Sequence, residues 1–209
     1  MKARILLALW VIVFPVTAQT NIEKTLGFQG KKSVKMDIQI ADSIVISTWN
    51  RQEVGIKALV NLNDNKDNEA YITSFDTQGD QVVITAKIRE EYFKKHNNCC
   101  DESMITWKVF IPQNAPFSVE TINGNIMITG STTEIKAKTI SGFIDWAVAN
   151  GRKADLKMST ISGTLYSNLD LKFSGNDNQI PQSVNQSLNG GGYPVKLETI
   201  SGDIFCRKQ

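Results

Sequence analysis

The phrase Thr-Ile-Ser-Gly ends at Gly142, Gly163 and Gly202, and a variant, Thr-Ile-Asn-Gly, ends at Gly124. Aligned on these glycines, the copies place Phe117, Ile135, Leu156 and Val195 seven residues earlier, and Val119, Ala137, Met158 and Leu197 five earlier. Two residues after the glycine stand Ile126, Ile144, Leu165 and Ile204; four after stand Ile128, Trp146, Ser167 and Cys206. All but Ser167 are apolar, at odd offsets before the glycine and even offsets after it. A strand has a side-chain period of two and keeps one parity, so the backbone must shift register by one residue at this step. A bulge or corner does so, and glycine accepts backbone geometry that other residues resist. Each copy is therefore a strand, a corner and a second strand, with both limbs facing one core.

The four glycines are separated by 18, 21 and 39 residues. The last interval is close to two ordinary ones, which predicts a degraded coil with Leu169, Leu171 and Phe173 as its remnant. The polar, glycine-rich run at 174–192 then reads as a long loop insertion. Periods near 20 residues belong to solenoids, whose units bury their apolar edges by stacking. The expected fold is all-β: a β-solenoid or rolled sheet of stacked two-strand repeats over 112–209. Upstream, Val34–Ile40, Val54–Ala58, Val82–Ile88 and Ile105–Ile111 alternate as half-buried strands do. This 19–111 region is expected to be antiparallel-like and continuous with the repeats in one domain, with "REEYFKKH" forming a helical turn or two.

The first 18 residues read as a secretory leader. Lys2 and Arg4 precede an apolar run, Ile5–Phe14, and Val16 and Ala18 supply the small residues of a cleavage site. The run is about half of the roughly 20 apolar residues a membrane span needs, and no cysteine follows it to carry a lipid. The chain has 23 Lys plus Arg against 21 Asp plus Glu, so losing Lys2 and Arg4 leaves 21 of each. A neutral mature chain has no global field to attract nucleic acid. Its destination is the periplasm, the outer-membrane surface or the extracellular space.

The segments "VETINGNIMITG", "AKTISGFIDWAV" and "LETISGDIFC", with the upstream "IADSIVISTWNRQEVGIKA", resemble the bacterial putative-adhesin β-strand repeat family, also called the toast-rack domain. The resemblance runs from about Val34 to Cys206. It implies an exported envelope or surface protein with an adhesive role, and it supplies no catalytic residues. The long loop departs from a regular array.

Few residues invite chemistry. His96, the single histidine, stands near Cys99 and Cys100 in "HNNCC", which lacks the spacing and ligand number of a closed zinc site. It also has no nucleophile motif beside it. Neither a catalytic set, a metal site nor a cofactor site is assigned. A disulfide from Cys99 or Cys100 to Cys206 would close a ~100-residue loop and stabilise by several kcal/mol in the chain-entropy model. An inert buried Cys206 thiol is the alternative. "NLNDNKDNEA" alternates oxygen side chains but lacks the glycine and terminal glutamate of a calcium loop, so it reads as a solvated turn. Glu120 and Lys138 would meet if consecutive coils stack.

On the second limb the outward places include Met127, Phe143, Tyr166 and Phe205. Apolar side chains opposite the core are either covered by the loop or the N-terminal sheet, or form a contact stripe for a protein or glycan partner. The favoured function is a non-enzymatic, adhesin-like binding or structural module of the bacterial envelope, with self-association open to it. The alternatives are an envelope signalling accessory and, more remotely, a carbohydrate-active enzyme on a β-helix. The last needs two carboxylates facing one bond, and Glu120, Asp145, Glu198 and Asp203 do not recur as a pair.

Overall fold

The computed structural model describes residues 19–95, 103–172 and 182–209. The first copy of the phrase runs through its corner as one strand, β8 (Phe117–Thr129). Numbering in chain order, the second copy forms β9 (Ile135–Ser141) and β10 (Ile144–Val148). The third forms β11 (Ala154–Ser162) and β12 (Leu165–Ser167), and the fourth β14 (Tyr193–Ser201) and β15 (Ile204–Lys208). These limbs pair in parallel and in register: Thr121 lies opposite Thr139, Thr139 opposite Thr199, and Thr199 opposite Thr160. Beyond the corner, Ile126 lies opposite Ile144, Ile144 opposite Ile204, and Ile204 opposite Leu165.

The spatial order of the copies is thus first, second, fourth, third. This corrects the expected coil-upon-coil succession. Among the described residues, the long interval before the fourth copy shows no degraded coil. Leu169 and Leu171 pack, partly buried, against the core; Phe173 lies outside the described residues. Nor is 174–192 all loop, since β13 (Gln182–Leu188) pairs antiparallel with β11. Val184 and Leu188 are its buried residues, and its remaining side chains are polar. With β13 on its far side, β11 leaves only its inner edge open, and there β14 enters.

The N-terminal half extends the same pattern. β1 (Thr20–Gly27), β4 (Glu53–Leu62) and β7 (Ser103–Pro112) pair antiparallel in sequence, as do β5 (Tyr71–Gln78) and β6 (Gln81–Ile88). The expected antiparallel character stops there. β2 (Ser33–Ile38) is parallel to β6 and β8, and β3 (Ile40–Trp49) is parallel to β7 and β8. β2 and β3 form a further rung beside the first copy, aligned Val34 to Phe117, Met36 to Val119 and Ile44 to Ile126. Its corner is a register shift between Ile40 and Ser43 rather than a glycine. One short helix, α1 (Glu90–Lys95), follows β6.

All fifteen strands belong to one mixed sheet, folded along the line of corners and open at its ends rather than closed into a barrel. Limbs before the corner form one ribbon, β5-β6-β2-β8-β9-β14-β11-β13. Limbs after it form another, β1-β4-β7-β3-β8-β10-β15-β12. Their inward rows meet in a single buried cluster containing Met36, Val119 and Leu197 from one ribbon and Trp107, Ile126, Trp146 and Ile204 from the other. Burying each such side chain contributes about 1.5–3 kcal/mol.

The corners are held by a repeated contact. Thr139 donates its hydroxyl to the Gly124 carbonyl at 3.2 Å, Thr199 to Gly142 at 3.3 Å and Thr160 to Gly202 at 2.9 Å. These threonines are buried, yet each reaches a carbonyl of the neighbouring rung, so none of the three hydroxyls is orphaned. Glycine is required for two reasons. Gly142 and Gly202 have φ of +126° and +152°, which L side chains resist. At Gly163 the reason is clearance, because a Cβ would sit 2.0 Å from the Gly202 carbonyl oxygen.

Candidate interaction surface

The side chains that point away from the core divide the molecule into a charged face, a corner ridge and an apolar face. On the pre-corner ribbon, Lys35, Ser118, Lys136, Lys196 and Lys157 occupy one outward row across β2, β8, β9, β14 and β11. The next row reads Asp37, Glu120, Lys138, Glu198 and Ser159. Glu120 does lie opposite Lys138 in register, but its ion pair goes diagonally to Lys136 at 2.7 Å. That hydrogen bond holds the Glu120 carboxyl below its ordinary range. Lys196 pairs with Glu198 on its own strand at 2.8 Å.

The corner ridge carries the isoleucines of the phrase itself. Ile122, Ile140, Ile200 and Ile161 sit on neighbouring strands and are 49%, 40%, 40% and 56% exposed. Sequence reasoning passed over them because attention fell on the glycine. The signal was available: the place two before the glycine has outward parity and is apolar in every copy.

The post-corner face brings the expected stripe together. Tyr166 stacks on Phe205 with centroids 5.0 Å apart and planes at 9°, and Phe143 meets Phe205 edge-on at 5.9 Å. Met127 lies in the same row but is separated from Phe205 by Asp145. Arg207 grips both carboxylate oxygens of Asp145 through its Nε and Nη2. The N-terminal strands extend this face instead of covering it, with Val45 on β3 directly beside Met127.

Farther along, Trp49 and Phe110 stack at 5.4 Å, and the Arg51 guanidinium lies 4.9 Å from the Trp49 ring. The indole N–H donates to the Glu53 carbonyl at 2.7 Å. A Cβ on Gly55 would sit 2.4 Å from the Trp49 ring, so glycine there lets the indole lie on β4. This second aromatic group was missed because Trp49 reads as part of a turn. Phe110, between inward Val109 and Ile111, is outward by simple alternation.

The residues considered for chemistry are dispersed. His96, Cys99 and Cys100 lie outside the described residues. Cys206 is buried on β15, and burial pushes its thiol up to about 12. Among the described residues no group of three His, Cys, Asp or Glu side chains could hold a metal ion. Glu120 and Glu198 lie on the pre-corner face, whereas Asp145 and Asp203 belong to the post-corner side. Asp203 accepts the Thr164 backbone N–H at 2.8 Å. The four acids therefore do not converge on one bond.

The Asn61–Ala70 turn satisfies itself. Asn61 Oδ1 accepts the Asn65 N–H at 2.9 Å, Asn68 Oδ1 accepts the Leu62 N–H at 2.8 Å, and Asn63 donates to Asp67 at 2.5 Å. Asn63, Asp64 and Asn65 have φ of 52°, 51° and 65°, a region Asn and Asp enter more readily than other side chains. Gly124, Gly142, Gly163 and Gly202 all stand at the ridge.

No family model matches the chain, and no curated protein matches it by sequence. Solved structures do. A putative cell adhesion protein from Clostridium sporogenes is similar over 92% of this chain and 100% of its own, with a TM-score of 0.58 and 11% identity. A putative adhesin from Bacteroides fragilis (8% identity, 92% and 99% coverage) and one from Parabacteroides merdae (9%, 89% and 96%) have TM-scores of 0.25. The first carries the likeness in fold. Among the described residues, no helix is long and apolar enough to cross a membrane.

Proposed function

We propose that this chain is an exported, non-enzymatic, adhesin-like module of the bacterial envelope, a short rolled stack that binds a partner through its post-corner outer face. The observation that carries this reading is the open aromatic group formed by Phe143, Phe205 and Tyr166. An apolar group on the face opposite the core adds nothing to the interior, and contiguous exposed apolar surface marks interaction sites. The leader-like N-terminus and the fold shared with the Clostridium cell adhesion protein support export and adhesion.

The test is binding of labelled protein to envelope fractions, comparing the wild type with a Phe143→Ser/Tyr166→Ser variant. A folded variant that loses at least tenfold in binding supports the reading. Equal binding by a folded variant rejects the face as the site. Turnover of envelope glycans by the wild type would favour the carbohydrate-active alternative.

A further inference from the structure

The post-corner face has a charge layout that selects its partner. Its central outward row reads, strand by strand, Glu23, Lys57, Lys108, Val45, Met127, Asp145, Phe205 and Tyr166. Lysines stand on one side of the midline between β3 and β8, and Asp145, ion-paired to Arg207, stands on the other. Glu23 pairs with Lys57 at 3.1 Å. Lys108, by contrast, is exposed and has no ion-pair partner among the described residues.

We propose that the partner of this face is a second copy of the chain, docked face to face about a two-fold axis parallel to the strands and between β3 and β8. The proposal rests on the reading of this face as the binding site. Under that axis β7 of one copy crosses β10 of the other, so each Lys108 meets the Asp145 of its partner. Met127 and Val45 pack at the centre, and Lys57 comes over the Phe205 ring, where a cation is attracted. A two-fold axis running across the strands would instead set Lys108 on Lys108 and Asp145 on Asp145. Like charges therefore exclude that arrangement. The contact is isologous and closes as a dimer.

Size and charge agree with this occupant. Eight strands about 4.8 Å apart and, β12 apart, at least five residues long offer roughly 600 Å² per copy. That is the low end of specific interfaces, which bury about 1,200–2,000 Å² in total. With the leader removed, acidic and basic side chains are equal in number, so no net repulsion opposes pairing. Asp145, although gripped by Arg207, keeps lone pairs for a further donor.

Sedimentation velocity on the leader-free chain tests the dimer. The wild type should dimerise at concentrations up to roughly 0.1 mM, where contacts of this size associate. Met127→Lys, at the axis, should weaken the dimer at least tenfold with an unchanged melting curve. Lys108→Glu should weaken it as well, and Lys108→Glu/Asp145→Lys/Arg207→Glu, which keeps the 145–207 ion pair with its signs exchanged, should restore it. A monomeric wild type, or a dimer indifferent to Met127→Lys, overturns the proposal; failure of the triple swap to restore pairing overturns the stated axis. A monomer that still binds envelope fractions through Phe143 and Tyr166 leaves the broader reading standing.

Discussion

The two outer faces are built by the same rungs, yet they differ in character. Before the corner the outward places hold Lys35, Lys136, Lys138, Lys157, Lys196, Glu120 and Glu198; after it Val45, Met127, Phe143, Phe205 and Tyr166 stand among Glu23, Lys57, Lys108, Asp145 and Arg207. The inward rows of the two ribbons, by contrast, are apolar except for the corner threonines and Ser167, and they share one core. Folding therefore constrains the inward rows and the corners, while the outward rows are free to diverge. Exposed ion pairs such as Glu120–Lys136 contribute only ~0–1 kcal/mol, and they keep one side soluble. The aromatic side gains nothing from facing water, and this is the ground for the partner proposed above.

The sharpest way to break this comparison is to remove the corner that creates both faces. Gly163→Val forces a Cβ to 2.0 Å from the Gly202 carbonyl oxygen and should cost about 3–5 kcal/mol or prevent folding, read by urea denaturation. A variant as stable as the wild type would show that the corners do not set the stack. Next, Phe143→Ser/Tyr166→Ser should cost at most about 2 kcal/mol of stability, because both rings are already partly in water. It should nevertheless lose at least tenfold in envelope binding. Reversing Lys35 and Lys157 to glutamate on the charged face should leave binding within about twofold, since the partner contacts the other side. If the charge reversal abolishes binding instead, the assignment of faces is inverted.

A smaller effect is expected at Thr139→Val, which removes the hydroxyl from the Gly124 carbonyl and should cost about 1–2 kcal/mol. The smallest concerns Glu120. Its folded carboxyl titrates below its unfolded value because Lys136 hydrogen-bonds to it. The resulting stability is present above the unfolded carboxylate pKa and lost as pH falls through the folded value. With both side chains 46% exposed, Lys136→Met should remove less than about 1 kcal/mol at neutral pH and progressively less as acid protonates Glu120. A larger loss, or one independent of pH, would mean that the charged face does structural work.

Much of this was legible from parity. The switch at each glycine placed Phe117, Val119, Ile126 and Ile128 and their counterparts on one core, and it placed Phe143 and Tyr166 outside. What stayed hidden has physical causes. The rung formed by β2 and β3 carries no glycine, because its extra residue at Ala41–Asp42 makes the register shift. β13 escaped notice because only Val184 and Leu188 are buried in it. The order of the copies was beyond reach, since any two limbs with matching inward rows can pair, and only the connection through β13 shows which ones do. The Cys99 or Cys100 bridge to Cys206 remains an expectation that peptide mapping without reductant would decide.

The insertion of the fourth copy between the second and third has a consequence for assembly. A chain that folds as it emerges from its amino end can lay down the rungs from β2 to β10 in turn. The β11 limb, however, has no inner neighbour until the residues of β14 arrive. Closure of the stack is therefore a late, long-range event that makes the carboxyl-terminal stretch a keystone, so clipping it would open a gap in the middle of the wall instead of shortening its end.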